Sequence, residues 1–284
     1  MTAPHPHEPA RTGPEGEVRQ DRFVGGRDLT RWVSPLGRWL AALTHRIGGL
    51  IGPHQSLVLL LVIGAVAAAV MTWLASEVYE SVVEADGVAL LDEPLLGTMI
   101  DARSPGLNLA ATAYTNVGGV IGMPVLAVAI MVLLAALRRS WTPVILMVAA
   151  GGGSLLMTVA GKDLIGRARP ALSDAVPPYE YSPSFPSGHS LNAFVVAGIV
   201  AYLLVLRQRT RAARVLTITT AAVFAVTIGL SRVYLGHHWF TDVLVAWVLG
   251  AAWLVVVITA HRLYLTLRRA GTGGWRGPVP DLSQ

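Results

Sequence analysis

Long apolar runs separated by short polar stretches fill the chain from residue 56 to residue 261. Six of them, roughly 56–76, 117–137, 142–161, 190–206, 213–231 and 240–261, approach or exceed the ~20 apolar residues that a helix needs to cross a bilayer. The fourth is the shortest and has to borrow residues at its ends. Pro124 and the Gly151–Gly153 run inside these segments are acceptable in membrane helices that pack on neighbours. The stretch "VALLDEPLLGTMIDAR" (88–103) is too short and too acidic to span and belongs at the membrane surface. Residues 1–30 are rich in Pro, Gly, Arg and Glu without an apolar period, which predicts a disordered tail. From Leu36 to Gly52, Trp, Leu and Ile share one face with Arg38, His45 and Arg46 interspersed. That pattern suits an interfacial amphipathic helix or an ordinary juxtamembrane linker. The expectation is an all-α polytopic membrane protein with six transmembrane helices. Residues 1–55 would form the tail and surface segment, 56–261 the membrane domain, and 262–284 a C-terminal tail.

Composition agrees, since 53% of the residues are hydrophobic and 14% charged, far from an ordinary soluble domain. The absence of cysteine excludes disulfides, thiolate catalysis and Cys-ligated metal. A net charge of +5 would suit a nucleic-acid partner, but its distribution argues otherwise. With the N-terminus in the cytoplasm, the cytoplasmic pieces hold 17 Lys and Arg and the opposite side five. That asymmetry predicts both termini inside. The first outer loop, 77–106, carries seven acids and one arginine. The positive charge is a topology signal, so no nucleic-acid partner is expected. Of the five exceptions, Lys162, Arg167, Arg169 and Arg232 fall in two short motifs, which topology does not explain.

Three polar clusters fall on that outer side. In "KDLIGRARP", Lys162 and Arg169 stand two helical turns apart, so a helix would place them on one face, with Pro170 ending it. Snorkelling cations at a helix end would look the same. In "SFPSGHS", Ser187 or a neighbour can cap the following helix, Gly188 permits close backbone approach, and His189 stands beside a helix N-terminus able to bind an anion. A capped helix with an interfacial histidine is the plainer alternative. In "SRVYLGHHWFTD", Arg232 adds a cation and Asp242 opens the last helix, where a carboxylate suits the helix dipole. A lone His–Asp pair is also compatible with a metal site.

Taken together, cations, a helix N-terminus, two separated histidines and a carboxylate match what phosphoryl transfer needs. No Walker-type loop, D-x-D run or H-E-x-x-H occurs, which weakens nucleotide, aspartyl-phosphate and zinc-protease readings. The motifs K-x6-RP (Lys162–Pro170), PSGH (Pro186–His189) and SR-x5-H-x3-D (Ser231–Asp242) resemble the signature of the type-2 phosphatidic acid phosphatase superfamily, over about residues 56–261. The resemblance implies that His238 attacks phosphorus and becomes a phosphohistidine. Asp242 orients and polarises that imidazole, and His189 protonates the leaving group and then activates water. Lys162, Arg169, Arg232, Ser187 and the Gly188 N–H bind the phosphate. It further implies no metal or other cofactor, with Arg167, outside the motif, auxiliary or snorkelling.

Spacing also separates the tandem histidines. If the chain is helical from His238 onward, Asp242 is i+4 from it and on the same face, whereas from His237 it is rotated by a further ~100°. His237 is expected to be a bystander near the surface. The expected protein is a bacterial membrane phosphatase acting from the extracytoplasmic side on a lipid phosphate or pyrophosphate: polyprenyl pyrophosphate, phosphatidylglycerol phosphate or phosphatidic acid. The alternative is a head-group binding or transport protein built on the same cations. It is disfavoured because the charges cluster at one surface and not at depth.

Overall fold

The apolar runs fold as helices whose ends are set by a few polar or left-handed residues. The computed structural model describes residues 20–51, residue 73 and residues 88–272. Ser104, Ser187 and Thr210 cap the helices that follow them, each side-chain oxygen accepting from a backbone N–H three residues on, as such caps do. Arg139 and Gly166 end helices in left-handed backbone, at φ 51° and 60°. In chain order the helices are α1 (Pro35–Ile51), α2 (Asp92–Asp101), α3 (Pro105–Thr115), α4 (Gly122–Arg138), α5 (Thr142–Ile165), α6 (Gly188–Val205), α7 (Arg211–Tyr234) and α8 (Phe240–Thr272).

The centre of the bundle is α6, which packs against α4, α5, α7 and α8. Leu191, Val195, Ile199 and Leu203, each four residues apart, are fully buried and join Ala246, Leu249 and Val257 of α8 in one core. Two glycines allow close approach. A Cβ on Gly153 would lie 2.2 Å from the Trp253 ring, and one on Gly198 would lie 2.2 Å from Leu254. Small residues bring membrane helices together in this way. Val132, Leu137, Val148, Leu155 and Val255 are exposed on the bundle surface, as suits helices facing lipid.

Helices α5, α6 and α7, with α8 over Phe240–Arg268, are long and apolar enough to span. The expected 117–137 span is instead a bent pair, Pro105–Gly118 and Gly122–Arg138, meeting at 50°. The helix breaks there because Asn116–Gly118 tightens into a 3-10 turn and Gly119 is extended. Among the described residues this makes four candidate spans, or five if the pair counts as one. The predicted span at 56–76 lies outside them, apart from residue 73.

Two boundaries differ from expectation. Residues 20–30, read as part of a disordered tail, include a two-stranded hairpin, Phe23–Val24 with Arg27–Asp28. Asp21 there is buried between Arg207 at 3.1 Å and Arg138 at 3.7 Å. Tertiary charge pairing orders a segment that has no apolar period of its own. At the other end, α8 runs past residue 261 to Thr272, with Leu263 and Leu265 buried. There Trp32 donates to Thr266 at 3.1 Å and Arg262 lies over the Trp32 ring at 4.3 Å. Residues 36–51 are helical as the amphipathic pattern suggested, with Leu36 and Trp39 exposed. The predicted tails at 1–19 and 273–284 lie outside the described residues.

Candidate active site

Antiparallel packing brings the C-termini of α5 and α7 to the same end of the bundle as the N-termini of α6 and α8. All three motifs therefore meet there, joined by the irregular segment 166–187. That segment is tied down by backbone hydrogen bonds from Val176 to Leu235, from Ser184 to Arg167 and from Ser187 to Asp242, at 2.8, 2.8 and 3.3 Å. The turn before the tandem histidines needs Gly236, with φ 72° and with a Cβ there only 2.1 Å from the Asp174 carbonyl oxygen.

Lys162 and Arg169 do converge, but not along one helix face. The Gly166 left-handed cap ends α5 after Ile165, so Arg169 lies beyond the helix. The two side chains meet on the segment below them. Lys162 donates to Ser182 Oγ at 3.1 Å and to the Pro183 carbonyl. Arg169 donates to the Ser182 carbonyl at 2.6 Å and to Ser182 Oγ at 3.2 Å. Arg232, only 2% exposed, pairs with Glu180, and Arg169 pairs with the same carboxylate at 2.9 Å. Ser187 caps α6, its Oγ accepting from Ser190 Oγ at 2.8 Å and from Ser190 N at 3.5 Å. Gly188 lets α6 approach Thr158 of α5, whose methyl would be 3.0 Å from an added Cβ. His189 occupies the first turn of α6 and is half-buried.

His238 is almost fully buried in the turn between α7 and α8. Its Nε2 lies 3.2 Å from Arg169 Nη1, and its Nδ1 3.5 Å from Asp242 Oδ2 and 3.4 Å from Ser184 Oγ. A guanidinium can only donate, so Nε2 is the unprotonated nitrogen and Nδ1–H points at the carboxylate, an assignment made from this network. Burial, followed by the Arg169 and Arg232 charges, pushes the His238 imidazole well below its ordinary range, so it is neutral at physiological pH. Burial alone would raise the Glu180 carboxyl, but Arg232 and Arg169 outweigh it and bring it down to about 2.

The helix that the spacing argument placed from His238 onward begins only at Phe240. The His238–Asp242 pairing nevertheless holds, because Asp242 sits in the first turn of α8. Its Oδ2 accepts from Trp239 N at 3.0 Å, the reach-back of a capping box, and from Ser184 Oγ at 2.5 Å. His237 is buried and not near the surface. Its Nε2 bonds the Val176 carbonyl at 2.7 Å, and burial with the Arg232 charge lowers its pKa to about 4.

One partner of Asp242, and a second acid behind it, were not legible in the motifs. Arg167 donates to Asp242 Oδ1 at 2.6 Å, so of the two expectations it is a support for the site and not a snorkelling cation. The same guanidinium reaches Asp92 Oδ2 at 2.8 Å. Asp92 comes from the acidic stretch before α3, far away in sequence. The one available signal was the K-x4-R-x-RP spacing, which leaves Arg167 unexplained by topology. Among the described residues, no group of three or more His, Asp or Glu side chains converges as metal ligands would.

The sequence model described as the PAP2 superfamily matches residues 140–264, the stretch holding all three motifs. Phosphatidylglycerophosphatase B of Bacillus subtilis (strain 168) is 36% identical over 170 residues, 59% of this chain and 82% of that protein. The chain belongs to the PAP2 superfamily. Among solved structures, the transmembrane PAP2 type phosphatidylglycerolphosphate phosphatase from Bacillus subtilis is similar at 32% identity and a TM-score of 0.59. That match covers 66% of this chain and 93% of the other. This PAP2 protein is therefore a multi-pass membrane phosphatase, and the choice between enzyme and head-group carrier falls to the enzyme.

Proposed function

We propose that this membrane lipid phosphate phosphatase cleaves its substrate through a phosphohistidine on His238. The observation that carries the reading is the orientation of that ring. Nε2 is free of its proton beside Arg169, while Nδ1 faces a buried carboxylate. Lys162, Arg169, Arg232, Ser187 and the N–H groups at Gly188 hold the phosphate oxygens, where fixed positive charge favours the transition state. An incoming phosphate meets Arg169 and Arg232 with Glu180 already between them, so its binding is an exchange of anions. Nε2 of His238 attacks phosphorus as the bond to the leaving oxygen breaks, and His189 delivers the proton to that oxygen. Asp242 holds Nδ1–H and stabilises the cationic ring. His189 then takes a proton from water, which displaces His238 and releases phosphate. The lysine and arginines supply the charge, so no metal is required.

The substrate we favour is phosphatidylglycerol phosphate, in line with the names of both Bacillus relatives. Polyprenyl pyrophosphate and phosphatidic acid are the other members of the class. We infer six spans, both termini in the cytoplasm and the site on the extracytoplasmic face, from the division of Lys and Arg. The test is phosphate release by purified protein in EDTA from a panel of these three lipids and a sugar phosphate. Release fastest from the phosphatidylglycerol phosphate and blocked by vanadate is expected. Preference for the sugar phosphate, or loss of activity in EDTA, would refute the reading.

A further inference from the structure

We propose that Asp92 is a positioning residue for the His238–Asp242 pair and that it acts through Arg167. The proposal rests on the phosphohistidine reading and extends it to a helix outside the 140–264 family match.

The two oxygens of Asp242 face different partners. Oδ2 looks toward His238 Nδ1, Ser184 Oγ and Trp239 N, while Oδ1 is held by Arg167 Nη1 at 2.6 Å. A carboxylate turns about its Cβ–Cγ bond, so a fixed partner on Oδ1 sets the plane in which Oδ2 meets the imidazole. Arg167 lies just past the left-handed Gly166 cap, in irregular backbone. Asp92 holds the guanidinium from its other side, with Oδ2 2.8 Å from Nη2. Thr241 closes the ring. Its Oγ1 donates to Asp92 Oδ2 at 2.6 Å and accepts from Arg167 Nη1 at 2.8 Å, and its N–H donates to Asp92 Oδ1 at 2.8 Å. Asp92 is 3% exposed and Thr241 5%, so little water competes for these bonds.

Charge works in the same direction as geometry. A lone guanidinium on Asp242 would draw electron density away from His238 and weaken the hold on the imidazolium that forms when phosphorus is attacked. The Asp92 carboxylate shares that guanidinium and leaves Asp242 the stronger partner for the ring. Asp92 bonds Arg167 and Thr241, not Lys162, Arg169, Arg232 or Ser187. The expected signature is therefore a loss in kcat with KM retained.

Asp92→Asn separates this role from simple helix capping, because the amide oxygen still accepts from Thr241 N while the charge is gone. The experiment uses the full chain in detergent with a short-chain lipid phosphate monoester. It measures kcat, KM, the number of sites titrated by vanadate, and the rate of phosphoenzyme formation per titrated site. Asp92→Asn should lower kcat and the per-site rate by about 10- to 100-fold, with KM and vanadate affinity within about twofold. Arg167→Gln should cost at least as much. The double variant should be no worse than Arg167→Gln alone, because the two residues act in series. A kcat within twofold of wild type, a loss matched by a loss of vanadate-titratable sites, or additive losses in the double variant would each overturn the proposal. His238→Ala, run alongside, keeps the two readings apart. If it turns over normally the phosphohistidine reading falls, whereas a dead His238→Ala with a normal Asp92→Asn sinks only the role of Asp92.

Discussion

Both ends of this bundle bury charge, and they do so differently. At the end formed by the C-terminus of α6, Asp21 sits between Arg138 and Arg207, and the Tyr202 hydroxyl meets His261 Nδ1 at 2.8 Å. One acid there is enclosed by two cations, and the cluster ties the N-terminal hairpin to the helices. At the end formed by the N-terminus of α6, Lys162, Arg167, Arg169 and Arg232 face Asp92, Glu180 and Asp242. His238 there has Arg169 beside one ring nitrogen and Asp242 beside the other. The first arrangement closes on itself. The second sets four cations and three carboxylates around a neutral imidazole, which suits an enzyme that exchanges an internal anion for an incoming one.

The sharpest way to break the comparison is His238→Ala. Turnover should fall by about 10⁴-fold or more, with no phosphoenzyme on rapid quench, while vanadate binding persists. A phosphoenzyme that still forms would move the nucleophile elsewhere. Next in size is Arg169→Ala, which removes the proposed phosphate donor and the partner of His238 Nε2. It should reduce kcat/KM by about 10²- to 10³-fold and weaken vanadate inhibition, as read from steady-state kinetics.

A smaller effect is expected from pH. In the proposed mechanism the unprotonated imidazole is the attacking form, and His238 is pushed well below its ordinary value. The acid limb of kcat/KM attributable to it should therefore lie below pH ~6.5. Stability carries the same sign. The unfolded chain protonates His237 and His238 near pH ~6.5, whereas the folded protein holds His237 down to about 4 and His238 neutral. The unfolded state binds more protons in that window, so stability falls as pH drops from ~6.5 toward 4. Thermal unfolding across that range checks the direction.

The smallest effect on chemistry is expected at the opposite end. Asp21→Ala should leave kcat within about twofold yet lower the unfolding temperature, since breaking a buried ion pair costs about 3–5 kcal/mol. A catalytic defect as large as that of Arg169→Ala would erase the contrast between the two ends.

Much of this was readable along the chain. The helices α5 to α8 follow from apolar length, and the Ser187 cap from a hydroxyl directly ahead of an apolar run. Within the site, the contacts run by routes that spacing alone does not show. Lys162 and Arg169 meet through Ser182 and Pro183, not through helical periodicity. His238 meets Asp242 through a turn and a capping contact, not from within the helix. Residues 20–30 escaped because nothing in their own pattern announces that Arg138 and Arg207 wait for Asp21.

The sequence by itself determined the four long helices α5 to α8, the three motifs and the cations within them, because hydrophobic length and motif order are local, one-dimensional properties. Only the tertiary structure decided which groups share a carboxylate. Glu180 stands between Arg169 and Arg232, and Asp92 reaches Arg167 from 75 positions away. A buried charge takes whatever partner packing brings within hydrogen-bond reach, and that depends on which helix ends meet.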